Sequence, residues 1–248
     1  MKNTRWMIAL GLVAVAVAAP FAKADMNITN NGVVWTYTYE GNVLPENDTP
    51  TWTHNFENTS SVTNSILTVS STVPLGNEYR MMGGTGLAWD PTGIGSTFEL
   101  RLKVDSAEPG SDGAIAGGLA LSTGGRGWYL GFSTNNVVYD ILTGEWLVTD
   151  TTAAFHIYRL VISDETNGPL TLYKDNSPTP LKAYTGVSAS SRQLDFGDNH
   201  GGHGGQMQWD YVRWTNEEAT SPIPEPTAGL LAAMGVMLLF RMRHARRK

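Results

Sequence analysis

Alternation constrains this chain more than any other feature of its sequence. Phe98, Leu100, Leu102 and Val104 alternate with Glu99, Arg101, Lys103 and Asp105. Successive side chains on a strand point to opposite faces, so this segment sets an apolar face against a charged one, as a half-buried antiparallel strand does. Residues 33–39 repeat the pattern, with Trp35, Tyr37 and Tyr39 separated by Thr36 and Thr38. Further strand candidates occupy 66–71, 116–122, 128–133, 137–142, 155–163, 170–174, 181–185, 193–196 and 207–214. Between them, Asn135-Asn136, Thr143-Gly144, Asn167-Gly168 and Asp175-Asn176 supply residues that tolerate positive φ. Asn167-Gly168 lies between two apolar runs and predicts a hairpin. No stretch of 25–221 keeps a 3.6-residue period over helical length. Many short strands separated by turn chemistry read as an all-β sandwich or barrel.

The two ends carry different signals. Lys2 and Arg5 precede an uncharged apolar run over 7–19, and Ala22-Lys23-Ala24 follows, just before Asp25. A basic start, a short apolar core and an A-x-A site are the parts of a secretory signal peptide. The run falls short of the about 20 apolar residues that a membrane span needs. Residues 1–24 are therefore read as a cleaved signal peptide rather than as a helix of the fold. At the other end, Ile223-Pro224-Glu225-Pro226 leads into the uncharged segment 227–240, then Arg241, Arg243, Arg246, Arg247 and Lys248. An apolar helix followed by cations reads as a transmembrane stop-transfer segment with its basic end retained in the cytoplasm. In its order of Pro-Glu-Pro, apolar helix and arginine cluster, 222–248 resembles the PEP-CTERM sorting signal of Gram-negative bacteria. The resemblance implies an exosortase-type membrane protease as partner and a transient stay in the inner membrane. Delivery to the cell surface or extracellular matrix would follow, in bacteria that usually make exopolysaccharide. A simple tail anchor is the alternative reading of the same residues.

Residues 25–221, between these signals, provide enough chain for one sizeable core. They hold nine Lys and Arg against 22 Asp and Glu, a formal charge of −13, where the whole chain carries −6. Such an acidic surface argues against nucleic acid and anionic membranes as partners, and is compatible with cations, neutral glycans or plain solubility. The absence of cysteine excludes disulfides, thiolate metal sites and a Cys nucleophile. Stability must then come from the core, to which the seven tryptophans of 25–221 bring bulk.

The second half has a recognisable order. Phe155-His156-Ile157-Tyr158-Arg159-Leu160-Val161 is followed by Leu170-Thr171-Leu172-Tyr173-Lys174-Asp175-Asn176, then Leu194-Asp195-Phe196-Gly197-Asp198, then Trp209-Asp210-Tyr211-Val212-Arg213-Trp214. This series is similar to concanavalin A-like lectin/glucanase and laminin-G-like jelly rolls. It departs from them in Phe155 for a usual Trp, Lys174 for a Val and Asn176 for a Gly. The resemblance implies a jelly-roll antiparallel β-sandwich over 25–221, whose last strand returns to the core with Val212 and Trp214 inward on the face they share with Asp210. It also brings calcium into view as a cofactor and glycans as ligands.

Several residues are candidates for chemistry. Glycoside hydrolysis needs two carboxylates flanking the scissile bond. Glu46-Asn47-Asp48 is the only Glu-x-Asp, and it continues to Thr51 rather than the Glu of the jelly-roll glucanase motif, so a hydrolase or lyase would have to assemble carboxylates from separate strands. Asp195, Asp198 and Asp210 bracket a glycine-rich loop and suit the oxygen chemistry of calcium. His200 and His203 lack a third ligand in register and read as solvated loop residues. For sugars, whose rings present apolar C–H faces, the candidates are Trp89, Trp128, Tyr129 and Trp146, with Asp90, Arg126, Asn135 and Glu145 nearby. Core burial is the competing expectation for each tryptophan. The sequence thus predicts an exported, non-catalytic carbohydrate-binding or structural sandwich, with a glycan-active enzyme as the competing class.

Overall fold

The computed structural model describes residues 28–222, apart from 31, 57–58, 73–74, 92–94, 110–113, 135–136, 142–143, 167, 199–201, 203 and 217–218. The alternating segments pair into two antiparallel sheets. The front sheet runs β12 (Glu145–Val148), β11 (Val137–Asp140), β10 (Arg126–Ser133), β9 (Ile115–Thr123), β17 (Arg192–Asp198), β7 (Asn77–Met82) and β4 (Thr53–Asn55), with β16 (Val187–Ser188) beside β10. The back sheet runs β15 (Lys182–Tyr184), β14 (Leu170–Lys174), β13 (His156–Ile162), β8 (Ser96–Ala107), β18 (Gly205–Thr215), β6 (Ile66–Ser71) and β5 (Ser60–Thr63), with β3 (Tyr37–Tyr39) beside β18. A separate hairpin joins β1 (Ile28–Asn30) to β2 (Val33–Trp35). The segment predicted as one strand over 33–39 is therefore two, broken at Thr36.

The apolar sets of the two sheets meet in one core. Phe98, Leu100, Leu102 and Val104 of β8 are all buried, as the alternation requires. Phe196 of the front sheet is the hub. Its ring lies 5.0 Å from Trp209, 5.7 Å from Tyr39, 5.4 Å from Tyr79 and 4.9 Å, edge-on, from Trp52. Such tilted and edge-to-face pairs add to the gain from area burial alone.

The Asp175-Asn176 turn is where the sequence placed it, while Asn135, Asn136 and Thr143 lie outside the described residues. Asp175 and Asn176 both adopt positive φ, 51° and 57°. β13 and β14 pair as the predicted hairpin, but residues 163–169 connect them. Asp164 organises this loop: its carboxylate accepts from the Thr166 N–H at 2.8 Å and its carbonyl from the Gly168 N–H at 2.8 Å. Asn167 itself lies outside the described residues.

The closing strand corrects one expectation. Met207 and Trp209 point into the core, and so do Val212 and Trp214. The inward set moves from odd to even numbers because the register with β8 shifts between Trp209 and Tyr211. Asp210 is the extra residue of this bulge, so it does not share a face with Val212 and Trp214.

The outer face of the back sheet is covered over the first half of β8, while Arg101 and Lys103 beyond it keep side-chain exposures of 38% and 30%. Trp35 lies over the Arg159 guanidinium at 5.6 Å from its ring centroid. Beneath it, Arg159 donates to Glu99 Oε2 at 3.0 Å from Nε and 2.5 Å from Nη2, while the Tyr211 hydroxyl donates to Glu99 Oε1 at 2.9 Å. Further along, the Thr220 N–H donates to Thr97 Oγ1 at 2.8 Å, and Ser221 meets the Tyr173 hydroxyl at 2.9 Å. Among the described residues no helix is long and apolar enough to cross a membrane. The signal peptide and the sorting residues Pro224, Glu225, Pro226, Arg241, Arg243, Arg246 and Arg247 lie outside them.

Candidate functional site

With part of the back sheet covered, the outer face of the front sheet is the one that brings aromatic, amide and charged side chains together. Tyr79 and Met81, Leu194 and Phe196, and Leu119 and Leu121 point into the core, so their strand neighbours point out. The register then aligns Tyr129 of β10, Ala120 of β9, Asp195 of β17, Arg80 of β7 and Thr53 of β4 across five strands. The next row runs Trp146, Tyr139, Gly131, Gly118, Gly197, Glu78 and Asn55. Trp146 therefore sits two strands from β10, roughly 10 Å away at the usual strand spacing. Its indole is 46% exposed, and Val148 beside it is 81% exposed.

A charged cluster forms the other half of the face. Arg80 Nη2 lies 2.8 Å from Glu78 Oε1, and its Nε donates to Asp195 Oδ1 at 3.2 Å. The Asn55 amide donates to Glu78 Oε1 at 2.9 Å, and the Gln193 amide to Asp195 Oδ2 at 2.8 Å. Both carboxylates are buried, and Glu78 Oε2 is a buried oxygen with no hydrogen-bond partner. Asn55, Arg80, Gln193 and Tyr129 are half-exposed and stand between these carboxylates and solvent. Burial pushes the Asp195 carboxyl up to about 7, and the neighbouring Glu78 charge pushes the same way against the pull of Arg80. Burial also raises Glu78, and it raises the Tyr129 phenol with help from Asp195. Two carboxyls whose surroundings hold protons so differently from water are a common mark of a working site.

The structure separates the aromatics singled out by the sequence. Trp89 and Trp128 are core residues: the first donates its indole N–H to the Ser122 carbonyl at 2.9 Å, the second to the Tyr184 carbonyl at 3.1 Å. Their rings face the opposite sheet, and neither offers a face to a sugar. Tyr129 and Trp146 do lie on the outer face.

The three aspartates do not converge either. Asp195 belongs to the cluster on the outer front face. Asp198, at the inward end of β17, accepts from Ser71 Oγ at 2.5 Å, and Asp210 pairs with Arg101 on the outside of the back sheet. Calcium needs several oxygens around one point, so these residues do not fit it as a set. Among the described residues no group of three or more His, Cys, Asp or Glu side chains is placed to hold a metal ion. His200 and His203 fall outside the described residues, and Glu46 and Asp48 belong to a short 3-10 turn, Pro45–Asn47, and its cap. A recess of about 270 Å³ opens away from this face, at the β9–β10 turn beside Glu165 and Arg192. Its polar walls are already tied together, Glu165 by the Ser96 hydroxyl and its carbonyl by Thr123 Oγ1 at 2.7 Å.

Glu78, Arg80, Asn55 and Gln193 escape a reading of the sequence. A usable signal was present in Glu78-Tyr79-Arg80-Met81, where charge and bulk alternate as they do in 98–105.

The class defined by these features is a two-sheet antiparallel β-sandwich with one partly covered face and one polar, aromatic face. No known family profile and no curated protein matches the chain. Among solved structures it is similar to the endo-1,3-beta-glucanase of Streptomyces sioyaensis, at 11% identity over 73% of this chain and 95% of that one, with a TM-score of 0.49. It is also similar to the carbohydrate recognition domain of Emp46p in its potassium-bound form, at 12% identity over 74% and 99% of the two chains, with a TM-score of 0.45. A third likeness is to the Trypanosoma rangeli sialidase in complex with sialic acid, at 13% identity and a TM-score of 0.49, covering 67% of this chain but 28% of the sialidase.

Proposed function

We propose that the chain is an exported protein of a Gram-negative cell surface or matrix, sorted by an exosortase-type protease, whose sandwich binds glycan without cleaving it. The signal peptide and the Pro-Glu-Pro tail support the address. The single observation that carries the binding reading is the composition of the outer front face. An exposed indole, Trp146, shares it with the phenol of Tyr129 and with amide and guanidinium donors held by buried carboxylates. Sugar rings stack on such aromatics while their hydroxyls need oriented polar partners. Affinity electrophoresis of the purified chain through a panel of polysaccharides, including the host's own exopolysaccharide, tests this. Trp146→Ala is expected to lose about tenfold or more in retardation, because an aromatic platform contributes ~1–2 kcal/mol beyond simple contact. Retardation unaffected by Trp146→Ala would remove the indole from the site.

The Glu78–Asp195 pair favours a second reading, a glycan-active hydrolase. One carboxyl held up near neutrality beside another has the chemistry that acid and base roles require, and a substrate would have to displace Asn55, Gln193 or Tyr129 to reach it. Shortening of a retained polymer, abolished in Asp195→Asn, is the outcome that would establish it. Unchanged chain length after prolonged incubation would leave a binder.

A further inference from the structure

Among the described residues the outer front face holds three ionic side chains: Glu78, Arg80 and Asp195. Only Arg80 is within a ligand's reach, its side chain 37% exposed where each carboxylate is 1% exposed. One guanidinium faces two carboxylates, so the cluster as a whole is not cationic. With both carboxyls ionised it carries one surplus negative charge, and with Asp195 protonated, its carboxyl being held up at about 7, it is neutral. The exported part adds a background of nine cations against 22 anions. An acidic polymer arriving here finds no net attraction, and must shed water from its own carboxylates or sulfates. A polymer bearing only hydroxyls has no such cost. The same buried carboxylates grip Arg80 by Nε and Nη2, which fixes the plane of the guanidinium before any ligand arrives.

We propose that this face takes an uncharged polysaccharide, and that Arg80, neutralised and oriented by Glu78 and Asp195, is the residue that sets this specificity. The inference rests on the glycan-binding reading and names its substrate class.

The test uses matched polymers: a neutral glucan, galactan and mannan, and each again after carboxymethylation. The full chain is run through all six at about 50 mM and about 500 mM NaCl, where screening lengths differ several-fold. At least one neutral polymer is expected to retard it equally at both salts, and its carboxymethylated form about tenfold less, one lost charge-assisted hydrogen bond's worth of discrimination. Arg80→Gln in a Glu78→Gln, Asp195→Asn background leaves no buried carboxylate without its cation. It should weaken neutral binding about tenfold at an unchanged melting temperature, and Arg80→Lys should not rescue it, since lysine lacks the planar fork. Stronger retardation by a carboxymethylated form, weakening with salt, would overturn the inference while leaving glycan binding intact. Equal retardation of both forms would do the same. Retardation by none of the six would sink the glycan-binding reading itself.

Discussion

Glu99→Ala is expected to destabilise the sandwich by about 3–5 kcal/mol, because it takes from the buried Arg159 the carboxylate to which its Nε and Nη2 both donate. Both partners are almost fully buried, side-chain exposures being 1% for Arg159 and 0% for Glu99. The Tyr211 hydroxyl would also lose its acceptor. The melting temperature should fall by about 10 °C, given the usual conversion for a domain of this size. Replacing the pair together, Glu99→Leu with Arg159→Met, is expected to recover most of the loss, because no charge is then left without its partner. Scanning calorimetry of the two variants checks both signs. A Glu99→Ala melting temperature within a degree or two of the parent would mean that the covering hairpin and Trp35 do not seal this pair from water.

Asp195→Asn should act in the opposite direction and depend on pH. The folded carboxyl is held up at about 7, whereas in the unfolded chain it titrates at about 4. Below about pH 4 both states keep the proton, and Asp195 makes no difference to stability. As pH rises from about 4 to about 7, the unfolded chain gives up its proton while the folded chain keeps it, so stability drains away. By about pH 8 the accumulated loss is on the order of 4 kcal/mol, which the asparagine variant does not suffer. Urea denaturation at about pH 4, 6 and 8 should therefore show a stabilising effect of Asp195→Asn that grows with pH and vanishes at the acid end. A constant offset across that range would show that the Asp195 carboxyl is not held above its ordinary value. Glu78 is raised as well and adds to the wild-type trend in the same sense. A scaffold has no need of such a cluster, and its cost to stability is the kind that binding and catalytic sites carry.

The architecture was legible where one face is apolar and the other charged. β8 shows this, its inward Phe98, Leu100, Leu102 and Val104 standing out against Glu99, Arg101 and Lys103. β6 and β14 fall on the residues that alternation marks, 66–71 and 170–174. Of the strands that build the candidate site, β10 and β17 fall on the predicted 128–133 and 193–196, whereas β12 and β7 were missed, for a physical reason. In β12, Trp146, Leu147 and Val148 are contiguous apolar residues, because the outward positions are themselves apolar and exposed, which erases the period of two. In β7, Asn77 points inward and Met82 outward, blurring both ends of the pattern. Residues that serve the surface break the rule by which the core announces a strand.

The site itself was half legible. Tyr129, Trp146 and Asp195 were marked by residue type, but so were Trp89 and Trp128, and nothing local separates an indole that closes the core from one that faces water. That difference is decided by which strands become neighbours. The Glu78–Arg80–Asp195 cluster joins residues more than a hundred positions apart through the β7–β17 register, which no spacing rule reveals. The bulge at Asp210 likewise turns a carboxylate away from Val212 and Trp214 without any turn residue to signal it.

The measurement closest to the central claim is hydroxyl-radical footprinting of the chain, free and saturated with a polysaccharide that retards it. Protection of Trp146, Tyr129 and Met82 on the outer front face, with Phe56 and Leu75 unchanged, is the predicted result. Unaltered labelling of Trp146 and Tyr129, with protection appearing elsewhere on the sandwich, would contradict the assignment of that face as the glycan site.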